Sequence, residues 1–123
     1  MSEYRTITHK GVTYRLTFAG LVSQYLLKRQ PNILSPLDEE QVERATKFLR
    51  ECTKRSDRKK GYSYGLKHMA EEYAGDYVSN GALIEAALRL GYRVVPEDER
   101  SPNAFVYLIV DKAVFRWMTS SSR

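Results

Sequence analysis

Apolar and polar residues alternate along two short stretches near the start of the chain. Tyr4 to Thr8 and Val12 to Thr17 are rich in β-branched and aromatic residues, and His9-Lys10-Gly11 separates them, which predicts a hairpin. The period then lengthens. Phe18, Leu21, Val22 and Tyr25 fit the i, i+3, i+4, i+7 pattern, and Thr17 ahead of them is a capping type, so a first helix is expected from residue 18. Pro31 limits it, because the residue before a proline resists the α region.

A second helix is predicted from Ser35 as N-cap, Pro36 in the first turn and Asp38 to Glu40 behind them, running to about residue 55. Val42, Ala45, Phe48, Leu49 and Cys52 form its apolar stripe; Glu40/Arg44, Glu43/Lys47 and Glu51/Arg55 are i,i+4 pairs on the polar side. After a charged loop, Ser63 caps a third helix with Leu66, Met69, Ala70 and Tyr73 on one face and Gly75 at its end. Ser79 caps a fourth, with Val78 and Leu83 placed as a hydrophobic staple and Gly91 closing it. Arg93 to Val95 and Ala104 to Val110 are strand candidates around a polar loop. Residues 112–118 fit a helix or a strand, and residues 119–123 read as a frayed tail.

The expected fold is therefore α+β in a single domain over residues 1–123: a β-hairpin (1–17), a body of four helices (18–91) and a C-terminal β-hairpin (92–118). Over residues 63–110, two closely joined helices followed by a hairpin follow the order of a winged helix-turn-helix.

Composition narrows the class. The chain has 123 residues, 42% hydrophobic and 28% charged, which suits one globular core. No apolar run approaches the roughly 20 residues of a membrane span, and Met-Ser-Glu-Tyr-Arg lacks a secretory signal, so a cytoplasmic location away from membranes is expected. One cysteine, Cys52, makes no internal disulfide, and with two histidines it builds no zinc site.

The net charge of +5 is uneven. Residues 1–34 carry +4 and residues 35–60 carry +2, and in the latter segment acids come first and bases last. Lys54, Arg55, Arg58, Lys59 and Lys60 form a basic knot around Ser56-Asp57, followed directly by Gly61-Tyr62-Ser63-Tyr64. Cations neutralise phosphates, and neighbouring tyrosines stack on bases or bond phosphate oxygens. The competing reading is a solvated loop whose charges complement the end of the second helix.

Catalytic chemistry finds little support. His68 has Glu71 and Glu72 at helical spacing, which makes them helix partners rather than a triad. Cys52 lies on an apolar stripe, where an inert, buried thiol is expected. Glu71-Glu72 and Glu97-Asp98-Glu99 do not match the ligand spacing of a Mg²⁺ or Ca²⁺ loop, and no glycine pattern cradles a phosphate. The expectation is a protein that is not an enzyme and needs no cofactor or metal.

Ser63-Tyr64-Gly65-Leu66-Lys67-His68, then Glu71, then Tyr77-Val78-Ser79-Asn80-Gly81-Ala82-Leu83-Ile84 with Ala86-Ala87 and Gly91, resembles a segment of small uncharacterised proteins from bacterial plasmids, prophages and integrative elements. The resemblance covers residues 63–92 and implies a mobile-element accessory protein; it brings no activity or site residue with it.

Two functions follow as expectations. The first is nucleic-acid binding, with duplex DNA foremost. Lys54, Arg55, Arg58, Lys59, Lys60 and Lys67 would meet phosphate, Tyr62 and Tyr64 would stack, Asn80 and Arg89 would face the groove from the fourth helix, and Arg93 and Arg100 would sit on a wing. Against the groove role, the fourth helix is apolar almost all round. The second is a protein-binding module, such as an inhibitor of a host defence or a mobile-element scaffold.

Overall fold

The computed structural model describes residues 4–121. The fold is α+β, as expected. Strand β1 (Thr6–His9) turns through Lys10 and Gly11, both left-handed, into β2 (Val12–Thr17) in antiparallel register, with Ile7 opposite Tyr14.

The chain departs from expectation after Thr17. Residues 20–23 are not helical but form a third strand, β3 (Gly20–Ser23), which completes the antiparallel sheet β1-β2-β3. The Thr17 hydroxyl accepts from the Ala19 amide, so it closes a two-residue turn instead of capping a helix. Every β3 residue is buried. The first helix, α1 (Gln24–Arg29), begins only at Ser23, whose hydroxyl accepts from Leu26 N; a 3-10 turn over Pro31–Ile33 follows.

Helix α2 (Glu39–Cys52) starts three residues later than predicted, at Asp38, whose carboxylate accepts from the Glu40 amide; Ser35 and Pro36 precede the helix. It also stops earlier. Thr53 switches to extended backbone and opens β4 (Thr53–Arg55), followed by β5 (Gly61–Tyr62). Tyr62 takes the N-cap position of α3 (Ser63–Ala74), and the Ser63 hydroxyl accepts from Ala104 N across the fold. Gly75 ends α3 at φ +76°. Helix α4 (Asn80–Arg89) has the predicted Ser79 cap, accepting from Ala82 N.

Strands β6 (Val94–Pro96) and β7 (Ala104–Val106) make the predicted hairpin, but β5 pairs on the other side of β7, giving the order β5-β7-β6. The chain then crosses to a second ribbon, where β8 (Leu108–Val110) pairs with β4. Residues 112–118 resolve as helix: Asp111 accepts from Val114 N and α5 spans Lys112–Ser121. Thr119 lies within that helix rather than in a tail; residues 122 and 123 fall outside the described residues.

Two cores meet at α4. The larger joins the apolar stripe of α2 to Leu66, Ala70, Val78, Leu83, Val106 and Phe115, with the rings of Phe48 and Phe115 edge to face at 5.9 Å. The smaller packs Ile84 against Tyr14, Leu16, Leu21 and Ala104. Residues Asn80 to Ala87 are consequently buried on every side. Among the described residues no helix is long and apolar enough to cross a membrane.

Candidate nucleic-acid interface

Alternation along three short strands builds the site. On β7, Ala104 and Val106 point into the core, which turns Phe105 and then Tyr107 outward. The registers Gly61↔Val106 and Val94↔Val106 set Lys60 and Arg93 beside Tyr107, one on each side. Tyr62 and Val95 flank Phe105 in the same way. The outer face of this sheet is thus a row of rings bordered by cations. The Arg93 guanidinium lies 4.5 Å from the Tyr107 ring centre; Lys60 Nζ lies 4.5 Å from that of Phe105 and 5.8 Å from that of Tyr107. The Tyr62 and Phe105 rings are 5.4 Å apart.

The basic knot is fastened to this face through the backbone of Tyr107. Its amide donates to Arg93 O, and its carbonyl accepts from Ser56 N at the end of β4. Ser56 Oγ then accepts from the amides of both Arg58 and Lys59, a hydroxyl-closed turn that leaves Arg58, Lys59 and Lys60 exposed. Arg55 is exposed and reaches back toward Gly91, while Lys54 is exposed opposite Ile109. None of Lys54, Arg55, Arg58, Lys59, Lys60 and Arg93 comes within 4.0 Å of a carboxylate oxygen among the described residues. Six cations remain available to an external anion.

One end of the face is acidic. The Tyr62 hydroxyl donates to Glu97 Oε1 at 2.6 Å and accepts from Asn103 Nδ2, and the Glu97 hydrogen bond raises the phenol pKa. Glu97, Asp98 and Glu99 occupy the β6–β7 loop, so the tip of that hairpin is negative.

The structure does not gather the other predicted residues here. Arg100 sits on the far side of the β6–β7 loop, 5.4 Å from the ring of Tyr25. Tyr64 is half-exposed on α3 with its ring edge-on to His68. Lys67 is buried: it bonds Glu71 at 3.1 Å and lies 4.7 Å from the Tyr77 ring centre. Glu71 also accepts from the amide of Val78 and contacts His68 at 3.0 Å, which ties α3 to the turn before α4. Burial pushes the Glu71 carboxyl up, but these hydrogen bonds and the Lys67 charge outweigh it, and the net shift is downward.

Asn80 and Arg89 are likewise engaged internally. Asn80 Nδ2 donates to Ala19 O, Pro102 O and Asn103 Oδ1, which fixes its amide and leaves Oδ1 without a partner among the described residues. Arg89 holds Glu85 on its own helix and Glu39 on α2. Arg5 completes the chain with two hydrogen bonds to Glu85 at 2.7 and 2.9 Å.

Sequence reasoning missed Phe105 and Tyr107. The alternation Ala104-Phe105-Val106-Tyr107 carried the signal, inside a run from Ala104 to Val110 read only as a strand candidate. The chain matches no protein-family model, no curated protein and no solved structure in comparisons with each.

Proposed function

We propose that this protein is a non-enzymatic nucleic-acid-binding accessory protein whose binding surface is the outer face of β5-β7-β6 and the adjoining basic loop. The observation that carries this reading is the placement of Lys60 and Arg93 on either side of Tyr107, unpaired with any carboxylate within the described residues. Free cations beside outward-facing, half-buried rings match the chemistry of a polyanion that also presents flat bases. The resemblance of residues 63–92 adds the setting of a mobile element in the bacterial cytoplasm.

The order β5-α3-α4-β6-β7, with the sheet arranged β5-β7-β6, supports a winged helix-turn-helix-like reading of residues 63–110. In this chain the second helix of that pair packs under β2 and β3, so the cationic sheet face takes over the role of binding surface.

A gel shift near physiological ionic strength tests the proposal. Retention by a labelled oligonucleotide, with log K falling linearly against log salt, is the expected result. Six basic groups on duplex DNA give a slope of about −5 to −6, and replacing Arg58, Lys59 and Lys60 together by Gln flattens it by about 2 to 3 units. No retention at tens of micromolar protein overturns the reading.

A second reading, a protein partner, rests on a different surface. Trp117 on α5 is 69% exposed, and Val114, one turn before it on the same helix, is exposed too. An exposed tryptophan beside an aliphatic side chain is the kind of residue found in interface cores. Loss of solution contacts at Trp117, rather than at Tyr107, would accompany that partner's binding.

A further inference from the structure

We propose that the occupant of the β5-β7-β6 face is a single strand of nucleic acid, its unpaired bases stacking on Phe105, Tyr107 and Tyr62 while Lys60, Arg93 and the 54–60 loop take its phosphates. This rests on the nucleic-acid reading above and goes further by fixing the strand state of the ligand.

Three observations select the single strand. The face offers rings rather than a groove-filling element: Phe105 and Tyr107 are half-buried and Tyr62 is 37% exposed; Tyr62 and Phe105 are paired in the sheet, and Tyr107 follows directly after β7 with Lys60 near both it and Phe105. Paired bases hide their π-faces within the helix stack, so only unpaired bases use such a surface. The helix that would enter a major groove is covered. Asn80 and Arg89 are held by internal partners, and Ile84 is sealed beneath Tyr14, Leu16 and Leu21. Finally, a wing reaching along a duplex would carry Glu97, Asp98 and Glu99 into the phosphates, whereas a strand crossing the sheet meets cations at Lys60 and Arg93 and need not extend past Tyr62.

The cations already stack on the rings they border. Arg93 over Tyr107 leaves its guanidinium plane available as a further layer, so a base can lie against the ring or against the arginine. Charge supplies affinity and rings supply the preference for unpaired strands; the two are separable by substitution.

The test is fluorescence anisotropy on the full chain with one labelled mixed-sequence DNA oligonucleotide, its RNA counterpart, and the duplex made from the DNA. The single strands are expected to bind at least tenfold more tightly than the duplex, and the DNA and RNA arms identify which strand is taken. Tyr107→Leu and Phe105→Leu, which keep the packing but remove the π-face, are expected to weaken single-strand binding about fivefold or more and duplex binding less than twofold. Tyr107→Phe should bind as the parent does. Lys60→Gln should weaken both ligands and flatten the single-strand salt slope by about 0.7.

Photocrosslinking of the unaltered protein to a 5-iodouracil-substituted strand gives a readout independent of folding in any variant. Adducts at Tyr62, Phe105 or Tyr107 are expected. Equal or tighter duplex binding, unchanged single-strand affinity in the folded leucine variants, or adducts only elsewhere overturns the single-strand proposal while leaving nucleic-acid binding standing. No binding of any oligonucleotide overturns both.

Discussion

The Gly81 amide donates to the carbonyl of Phe18 at 2.9 Å, and a Cβ on Gly81 would lie 1.7 Å from the carbonyl oxygen of Thr17. Helix α4 and the β2–β3 turn therefore meet backbone to backbone, at a separation that only glycine permits. This contact seats the N-terminal sheet over the helix and removes that helix from solvent. Neither backbone can swing aside as a side chain would, so Gly81→Ala is expected to cost about 3 kcal/mol or more, as severe overpacking does. Urea unfolding measures it; a loss below 1 kcal/mol would show that the two segments separate readily.

The Ser79 hydroxyl satisfies the Ala82 amide inside a buried turn. Ser79→Ala should lower stability by about 1 kcal/mol through the orphaned N–H. Ile84, fully buried between the α4 backbone and the N-terminal sheet, has no partner to offer a carboxylate, so Ile84→Asp should prevent cooperative folding. Thermal melts by circular dichroism distinguish the two outcomes, and a folded Ile84→Asp protein of parental stability would contradict the packing described.

Cys52 is fully buried, and burial followed by the charge of Glu51 pushes its thiol pKa up. A water-soluble thiol reagent should label it slowly in the native state and rapidly in denaturant. Fast native labelling would mean that the end of α2 opens on the labelling timescale.

Acid should loosen the N-terminal sheet. Burial pushes the Glu85 carboxyl up, but hydrogen bonds from Arg5 and Arg89, with their charges, hold it below its ordinary value of 4.5. A carboxylate lowered by folding adds stability above its unfolded pKa, and that stability is lost as pH falls through the folded value. Chemical stability measured from pH 7 downward should therefore hold until about pH 4.5 and then decline, with Glu39 and Glu71 adding in the same direction. Glu85→Gln should be less stable at pH 7 and show a shallower acid decline; an unchanged pH profile would remove Glu85 from this role.

Local signals were legible in the sequence where a single side chain decides the backbone. Ser79 and Gly75 mark the ends they were assigned, and the Lys10-Gly11 turn joins the strands foreseen on either side. The segment after Thr17 was not legible because β3 is buried throughout: Leu21 and Val22 follow one another without alternation, and the same spacing satisfies a helical template. The α2 start was misplaced because Ser35-Pro36 and Asp38 offer the same capping chemistry, and only Asp38 makes the bond. At the site, the cations of the 54–60 loop were readable as charge, whereas the partnership of Arg93 with Tyr107 depends on strand register and appears only in three dimensions. Asn80 and Arg89 looked like groove readers for the opposite reason. Their chemistry is right for bases, but it is spent on Ala19, Pro102, Asn103, Glu39 and Glu85.

The covering of α4 also sets an order of events during synthesis. Strands β1 to β3 pair with near neighbours in sequence, but their anchors arrive late: Ala19 waits for Asn80, and Arg5 waits for Glu85. In a nascent chain Leu16 and Leu21 thus stay without their α4 partner Ile84 for some sixty residues of translation. Docking of the sheet onto α4 closes loops of that length, so it belongs to the non-local contacts whose closure entropy must be met before they reward folding. Until α4 appears, the same apolar surface is the part of the molecule most open to a chaperone or to another nascent chain.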